Sequence, residues 1–307
     1  MKTSIIIPVF NRKEYTEKCI DSIYKYGSDY PFEIIVVNNA SSDGTAEYLR
    51  NLGDKAVAIN NEQNRGFAKA CNQGAEKAKG EYLLFLNNDT IVTQNWMDVL
   101  VSELDENEGV AIAGSKLIFP DGTIQHAGVV FADDKTPYHI YKHDSPEKFY
   151  TKKKRKFKAV TAACMIIRRN IFFEVGGFDE AYVNGYEDID LCLKVDKAGK
   201  SIMYCPESVI YHYESISDGR LNKHSENMKL FLDRWSGYVS ADYKNIMFED
   251  NTLSQLESQK MLIEHMRKEI EMMRASNFWK MREWCLKLKF AIFSPGKFAR
   301  KYLSKKI

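Results

Sequence analysis

Apolar residues gather in four short runs within the first ninety positions, at 4–9, 33–37, 56–59 and 82–86. The runs are near-continuous in Ile, Val and Leu rather than alternating, the pattern of strands buried on both faces. Helical spacing fills the intervals. Residues 13–26 place Tyr15, Cys19, Ile23 and Tyr26 on one face, and Asp43 is positioned to cap a helix running through Leu52. In residues 66–79, Ala68, Cys71, Ala75 and Ala78 fall at steps of three, four and three, and such small side chains let a helix pack closely on a sheet. This alternation predicts an α/β fold with a parallel sheet and right-handed crossovers.

Each run is followed by a polar segment: PVFN (8–11), NNASSDGT (38–45), NEQNRGF (61–67) and NNDT (87–90). In a parallel sheet all four lie at the carboxyl edge, where open α/β sheets bind ligands. The arrangement gathers Pro8, Phe10, Asn11, Asn38, Asn39, Asn64, Arg65, Gly66 and Asn88 around one crevice. Turn chemistry alone accounts for such residues in any single loop; four loops in register point to a ligand. No G-x-G-x-x-G follows the first run and no G-x-x-x-x-G-K-[ST] occurs, which excludes a dinucleotide fingerprint and a P-loop. Asp89 is the sharpest element. A carboxylate just past a buried strand is a hard oxygen ligand for Mg2+ or Mn2+, which can bridge a diphosphate and neutralise a departing nucleoside diphosphate. An Asx-turn, or a cap for a helix near 95–105, is the structural alternative.

The run from PVFN through VVNNASSDGT, NRGFAKACNQG and KGEYLLFLNNDT resembles glycosyltransferase family 2 enzymes of the A-type (GT-A) fold. The resemblance implies a Rossmann-like, mostly parallel sheet flanked by helices, with a nucleotide-sugar at the strand-end loops. It adds Asn72 to the nucleotide-sugar-binding set. Asp89 matches the last position of the family's D-x-D-like metal motif. Asn87 stands where many members have Asp, and Asn38 where members usually carry an Asp that binds the base. An Asn amide still donates to or accepts from a pyrimidine edge.

Residues 110–131 read as strand, turn and strand, with Pro120, Asp121 and Gly122 as the turn. The segment IQHAGV (124–129) looks like one in bacterial polysaccharide glycosyltransferases, so His126 reads either as a donor or acceptor contact or as a packed histidine. Residues 132–158 show no periodicity and contain KKKRKFK (152–158), a solvated loop, a mobile lid or a contact for an anionic acceptor. No nucleic-acid partner is expected, since the run sits in no recognised nucleic-acid fold.

A strand at 159–169 leads to a turn crowded by Glu180, Glu187, Asp188 and Asp190, before a helix that stops at Gly199. Carboxylates at a helix N-terminus are favourable on dipole grounds alone, but three in four residues exceeds what capping needs. Transfer to a hydroxyl needs a general base, a task for a carboxylate whose neighbour raises its pKa. GFDE followed by GYEDIDLCLK resembles the family's acidic segment. This implies that Asp188 is the base of an inverting enzyme, with Glu187 orienting the acceptor. His212 falls where many GT-A enzymes place a histidine near the metal or diphosphate; a buried structural histidine is the alternative.

Beyond this region, Met228, Phe231, Leu232, Trp235 and Tyr238 form a stripe expected to pack on the catalytic domain. Leu256, Ile263 and Ile270, with Met266 and Met273, sketch two heptads that pack on the same chain or join a homodimer. Charge then changes the picture. The 307 residues carry 44 Lys and Arg against 42 Asp and Glu, a net +2. Residues 275–307 hold nine of the cations and one acid, net +8, which leaves −6 on the preceding 274 residues. The tail also carries Phe278, Trp279, Trp284, Leu288, Phe290, Phe293 and Phe298. Aromatics with cations read as attachment to an anionic membrane surface, or as a helix packed on the protein.

No run of 18 uncharged apolar residues exists for a spanning helix, and the apolar start is broken by Pro8. The six cysteines include no C-x-x-C pair, which favours a reducing cytoplasm. The reading is thus a GT-A domain over 1–245, its nucleotide-binding half about 1–115 and its acceptor half about 116–245, with a helical basic extension over 246–307. It describes an inverting transferase dependent on Mg2+ or Mn2+, acting on a UDP- or dTDP-sugar in bacterial surface-polysaccharide assembly. The acceptor is a glycan or polyprenyl-linked sugar hydroxyl. The expected location is cytoplasmic, peripheral on the inner face of the cytoplasmic membrane. Two rivals stand: a sugar-nucleotide nucleotidyltransferase, which would want a Gly-rich basic loop where PVFN stands, and a non-catalytic adaptor, which the acidic cluster disfavours.

Overall fold

The computed structural model describes residues 1–213, 223–253, 263 and 266–273. The chain divides into two units, Met1–Tyr243 and Lys244–Ile307. In the first, the four apolar runs become β1 (Thr3–Val9), β2 (Phe32–Asn38), β3 (Val57–Asn60) and β4 (Tyr82–Leu86), linked by α1 (Lys13–Tyr26), α2 (Thr45–Asn51) and α3 (Phe67–Lys77). They lie parallel, with β1 between β2 and β4. Ile5, Ile6 and Ile7 of β1 are all fully buried, which is why this stretch does not alternate. β3 departs from the expectation. It is the edge strand, and its side chains are largely exposed because no strand lies beyond it.

The helices carry the predicted logic with one rotation. α1 buries Thr16, Cys19, Ile20 and Ile23; Tyr26 is exposed, and Tyr15 turns to meet Tyr213 edge-on with centroids 5.2 Å apart. Asp43 accepts the main-chain N–H of Thr45 at 3.2 Å at the start of α2, and also that of Lys13 at 2.8 Å at the start of α1. α3 buries Ala68, Ala70, Cys71, Gly74 and Ala75. A Cβ on Gly74 would stand 2.4 Å from Cγ2 of Ile6, so its absence lets this helix settle onto the sheet.

The second half adds β5 (Thr90–Val92), α4 (Trp96–Glu106), β6 (Val110–Ile118), β7 (Ile124–His126), β8 (Val129–Phe131), β9 (Pro137–His139), β10 (Arg155–Phe157), β11 (Cys164–Arg168), α5 (Arg169–Glu174), α6 (Glu187–Lys197) and β12 (Ser201–His212). The sheet runs β10-β12-β6-β11-β4-β1-β2-β3, with β5 on β12 and β7 on β6; β8 and β9 pair separately. β11 lies antiparallel between β4 and β6 and so joins the halves into one sheet. β5 pairs antiparallel with the end of β12, setting Thr90 opposite His212.

The hairpin between β6 and β7 turns at Gly122 (φ 87°) as expected. The aperiodic stretch 132–158 is not structureless. It holds β9, a 3-10 turn at Phe149–Lys152 and β10, elements too short to leave a period. Three of its cations form ion pairs: Lys152 with Glu147 at 2.7 Å, Lys154 with Glu103 at 2.8 Å and Lys158 with Asp196 at 3.0 Å.

α7 (His224–Trp235) packs as the stripe predicts, placing Phe231 and Trp235 in a cluster with Phe131, Tyr182, Leu193 and Val239; Tyr238 stays exposed. α8 (Tyr243–Glu249) follows. In the second unit, Ile263, Met266, Ile270 and Met273 are exposed. Leu256 of the heptad reading, the basic aromatic tail 278–307 and Cys285 lie outside the described residues. Among the described residues, no helix is long and apolar enough to cross a membrane.

Candidate active site

A crevice of about 400 Å3 opens at the carboxyl edge of the sheet. Ten of the residues singled out in the sequence line it: Pro8, Phe10, Asn39, Asn64, Gly66, Asn88, Asp89, Glu187, Asp188 and His212. Four others sit elsewhere. Asn38 is 2% exposed, with its amide accepting from the Ser41 N–H at 3.0 Å and donating to Asn60 Oδ1 at 2.9 Å. It lines a separate cavity of about 370 Å3 beside Ser41, Arg50, Asn60 and Asn61. Asn11 joins two loops, its Oδ1 accepting from the Ser42 N–H and its own N–H donating to Ser41 Oγ, both at 2.8 Å. Asn72 clamps Phe178, donating to its oxygen at 2.9 Å and accepting from its N–H at 3.0 Å. Arg65 is exposed and outside the crevice lining.

One corner is built by β5 and β12. Asp89 directly precedes β5, and the ladder beyond it brings His212 Nε2 to 3.1 Å from Asp89 Oδ1. Both are buried, at 8% and 3% exposure. Asn87 Nδ2 lies 3.2 Å from the same Nε2, and Asn88 Nδ2 donates to Thr16 Oγ1 at 3.0 Å, tying the loop to α1. Asp89 caps no helix, because α4 begins after Asn95. A carboxylate oxygen and an imidazole nitrogen converging in a buried corner suit Mn2+, and Mg2+ less well because it favours oxygen ligands. Among the described residues no three His, Cys, Asp or Glu side chains gather to hold a metal alone. The pair therefore fits an ion that completes its shell with phosphate and water, as Mg2+ commonly does.

The start of α6 lines the same crevice. Asn184, Gly185 and Tyr186 precede it with φ of 55°, 143° and 74°, a left-handed turn that lifts the helix start into the crevice. The crowded acids divide their work. Glu187 is buried and its Oε2 accepts the Gly185 N–H at 2.6 Å. Asp190 is 2% exposed, accepts from Trp235 Nε1 at 2.8 Å and pairs with Lys194 at 3.0 Å. Glu180 pairs with Lys69 at 3.2 Å. Asp188 is the least buried of the three acids that open α6. Its two oxygens accept the N–H groups of Ile189 at 2.9 Å and Ala162 at 3.1 Å, which fixes the carboxylate at the crevice wall.

His126 is not a crevice residue. It is fully buried, packs edge-on to His139 at 4.6 Å, and burial, then His139, holds its pKa well below the ordinary value. Its neighbour Gln125 lines the crevice and touches His212, and Tyr138, His139, Tyr186 and His224 also line the crevice. Sequence reading passed over all five. Only Gln125 carried a signal, its place beside the histidine that drew attention.

Comparison with known proteins bears on the family and the fold. The model of glycosyl transferase family 2 matches residues 4–176. Protein y4gI of Sinorhizobium fredii is 35% identical over 260 residues, covering 80% of this chain and 28% of the relative. The O-antigen biosynthesis protein RfbC of Myxococcus xanthus is 34% identical over 225 residues, covering 70% and 18%. The chain thus spans less than a third of the length of these two relatives. The crystal structure of GalNAc-T7 with UDP, GalNAc and Mn2+ shares the fold, with a TM-score of 0.62 at 17% identity over 82% of this chain and 54% of that one. This chain belongs to glycosyl transferase family 2 and has the GT-A fold.

Proposed function

We propose that the chain transfers a sugar, with inversion, from a UDP- or dTDP-sugar to a hydroxyl of a glycan or polyprenyl-linked sugar in bacterial surface-polysaccharide assembly. The observation that carries the reading is that the buried Asp89 and His212 pair and the fixed carboxylate of Asp188 line one crevice. Asp89 and His212 would hold Mn2+ or Mg2+, whose chemistry is to neutralise charge on the leaving diphosphate. Phe10, Asn39, Asn64 and Gly66 form the wall that takes the nucleotide. Asp188 accepts the proton of the attacking hydroxyl as the new bond forms at the anomeric carbon, and the main-chain N–H groups of Ala162 and Ile189 hold it in place for that task.

The acceptor lies on the side of Tyr138 and Tyr186, whose ring faces suit the apolar faces of a sugar. The UDP and Mn2+ of the GalNAc-T7 crystal and the O-antigen biosynthesis protein among the relatives support the donor and the setting. The basic tail would keep the enzyme at the inner face of the cytoplasmic membrane, near a polyprenyl-linked acceptor.

A panel of nucleotide sugars assayed with Mn2+, with Mg2+ and with EDTA tests the proposal. Release of nucleoside diphosphate from a UDP- or dTDP-sugar, abolished by EDTA, is the expected result. Release of pyrophosphate would identify a nucleotidyltransferase. Donor binding without turnover on any donor and acceptor would identify an adaptor.

A further inference from the structure

Gln125 sits on the short strand β7 and is 1% exposed, yet its side chain reaches the buried corner. Its amide is oriented from both ends. Nε2 donates to the main-chain oxygen of His212 at 3.4 Å, which turns Oε1 to face Nδ1 of the same residue at 2.6 Å. A carboxamide oxygen only accepts, so Nδ1 carries the hydrogen. The strand itself is pinned next door, where His139 Nδ1 lies 3.0 Å from the Gln125 main-chain oxygen. With Nδ1 protonated, the neutral ring presents a lone pair at Nε2, and Asp89 Oδ1 stands 3.1 Å from it. Asn87 Nδ2, 3.2 Å away, donates to that lone pair, and a cation between Nε2 and Asp89 Oδ1 would offset the repulsion between these two acceptors. In the other tautomer Nε2–H would donate to Asp89 Oδ1 and close the corner with an internal hydrogen bond.

We infer that Gln125 is a positioning residue that selects the His212 tautomer competent to bind a cation with Asp89. This rests on the reading of Asp89 and His212 as the metal pair. Gln125 touches neither substrate nor ion in this role. It acts through the imidazole, as the outer partners of metal-bound histidines do.

The test compares wild type with Gln125→Leu and Gln125→Glu in two measurements. Mn2+ binding in the presence of UDP is followed by the electron paramagnetic resonance of free Mn2+. The His212 tautomer is read in the metal-free protein from imidazole 15N shifts, with His212→Gln identifying the signal. Gln125→Leu should weaken Mn2+ binding about 10- to 100-fold and shift the ring toward Nε2–H. Gln125→Glu keeps an acceptor opposite Nδ1 and should retain both the tautomer and the affinity. If Gln125→Leu does not fold, judged by its thermal transition, Gln125→Met, of similar shape but without the strong acceptor, takes its place with the same expected outcome.

Wild-type affinity and an unchanged tautomer in Gln125→Leu would overturn the inference and leave the metal pair standing. Failure of every protein, wild type included, to bind Mn2+ would overturn the metal pair instead. The 15N comparison then decides by itself whether Gln125 governs the ring.

Discussion

Asp188→Asn exchanges one carboxylate oxygen for an NH2 group at nearly constant volume. Each oxygen of Asp188 accepts one main-chain N–H, from Ile189 at 2.9 Å and Ala162 at 3.1 Å. The amide keeps one of these bonds and turns a donor toward the other N–H. Losing one bond to a charged acceptor costs about 1.5–3 kcal/mol, and the lower end applies because the group is half-exposed. For a unit of this size that lowers the melting temperature by roughly 3–6 °C, leaving a folded protein. Removing a general base costs more, about 100- to 10,000-fold in rate, or roughly 3–5 kcal/mol. The variant should therefore bind UDP and Mn2+ like wild type, by calorimetry, while transfer falls by that factor. Turnover within about tenfold of wild type in the folded variant would refute Asp188 as the base, since a lost base costs at least a hundredfold.

Three further outcomes are expected. Asp89→Ala should reduce transfer at least about 100-fold and make UDP affinity indifferent to Mn2+, which a titration with and without the ion checks. Gly74→Ala forces a Cβ to within 2.4 Å of Ile6 in a filled core; it should destabilise the protein by about 1–3 kcal/mol in urea, with kcat unchanged in the folded fraction. Burial would raise the Asp105 carboxyl, but bonds from Lys2 and Tyr82 outweigh it and hold the pKa below the ordinary 3.8. That stabilisation is present above pH 3.8 and is lost as pH falls through the depressed folded value. Asp105→Asn should consequently lose stability at neutral pH and show a shallower acid limb below about pH 4 in pH-resolved melts.

What the sequence revealed was what repeats or is continuous. β1, β2 and β4 are read directly, because burial on both faces leaves unbroken apolar runs, and the loops behind them follow from chain direction. β3 was legible as a strand but not as an edge, since position in the sheet is set by pairing partners far along the chain. Asp188 and His212 were found through resemblance to a family, since no local pattern separates Asp188 from Glu187 and Asp190. Only the fold shows that Glu187 meets the Gly185 N–H and Asp190 meets Trp235 and Lys194. Asn38, at the end of β2, and Asn72, within α3, fall outside the crevice lining, which the sequence could not show. An Asn looks alike in sequence whether its amide faces a ligand or braces neighbouring chain. Gln125 escaped because its partner lies 87 positions away, and a three-residue strand carries no period to announce it.

The three residue pairs between β5 and β12 also bear on the order in which the molecule comes into being. Asp89 and His212 are 123 positions apart, and the later one ends the last strand to join the sheet. A ribosome adding about 5–20 residues each second separates the two by on the order of ten seconds. For that interval the crevice loops of the first half exist in the nascent chain without the histidine. The same dependence rules out building the corner from the first 115 residues alone, and it makes the pair a probe of completion. In a refolding experiment, the appearance of Mn2+ binding would time the docking of β12 rather than the formation of the parallel half.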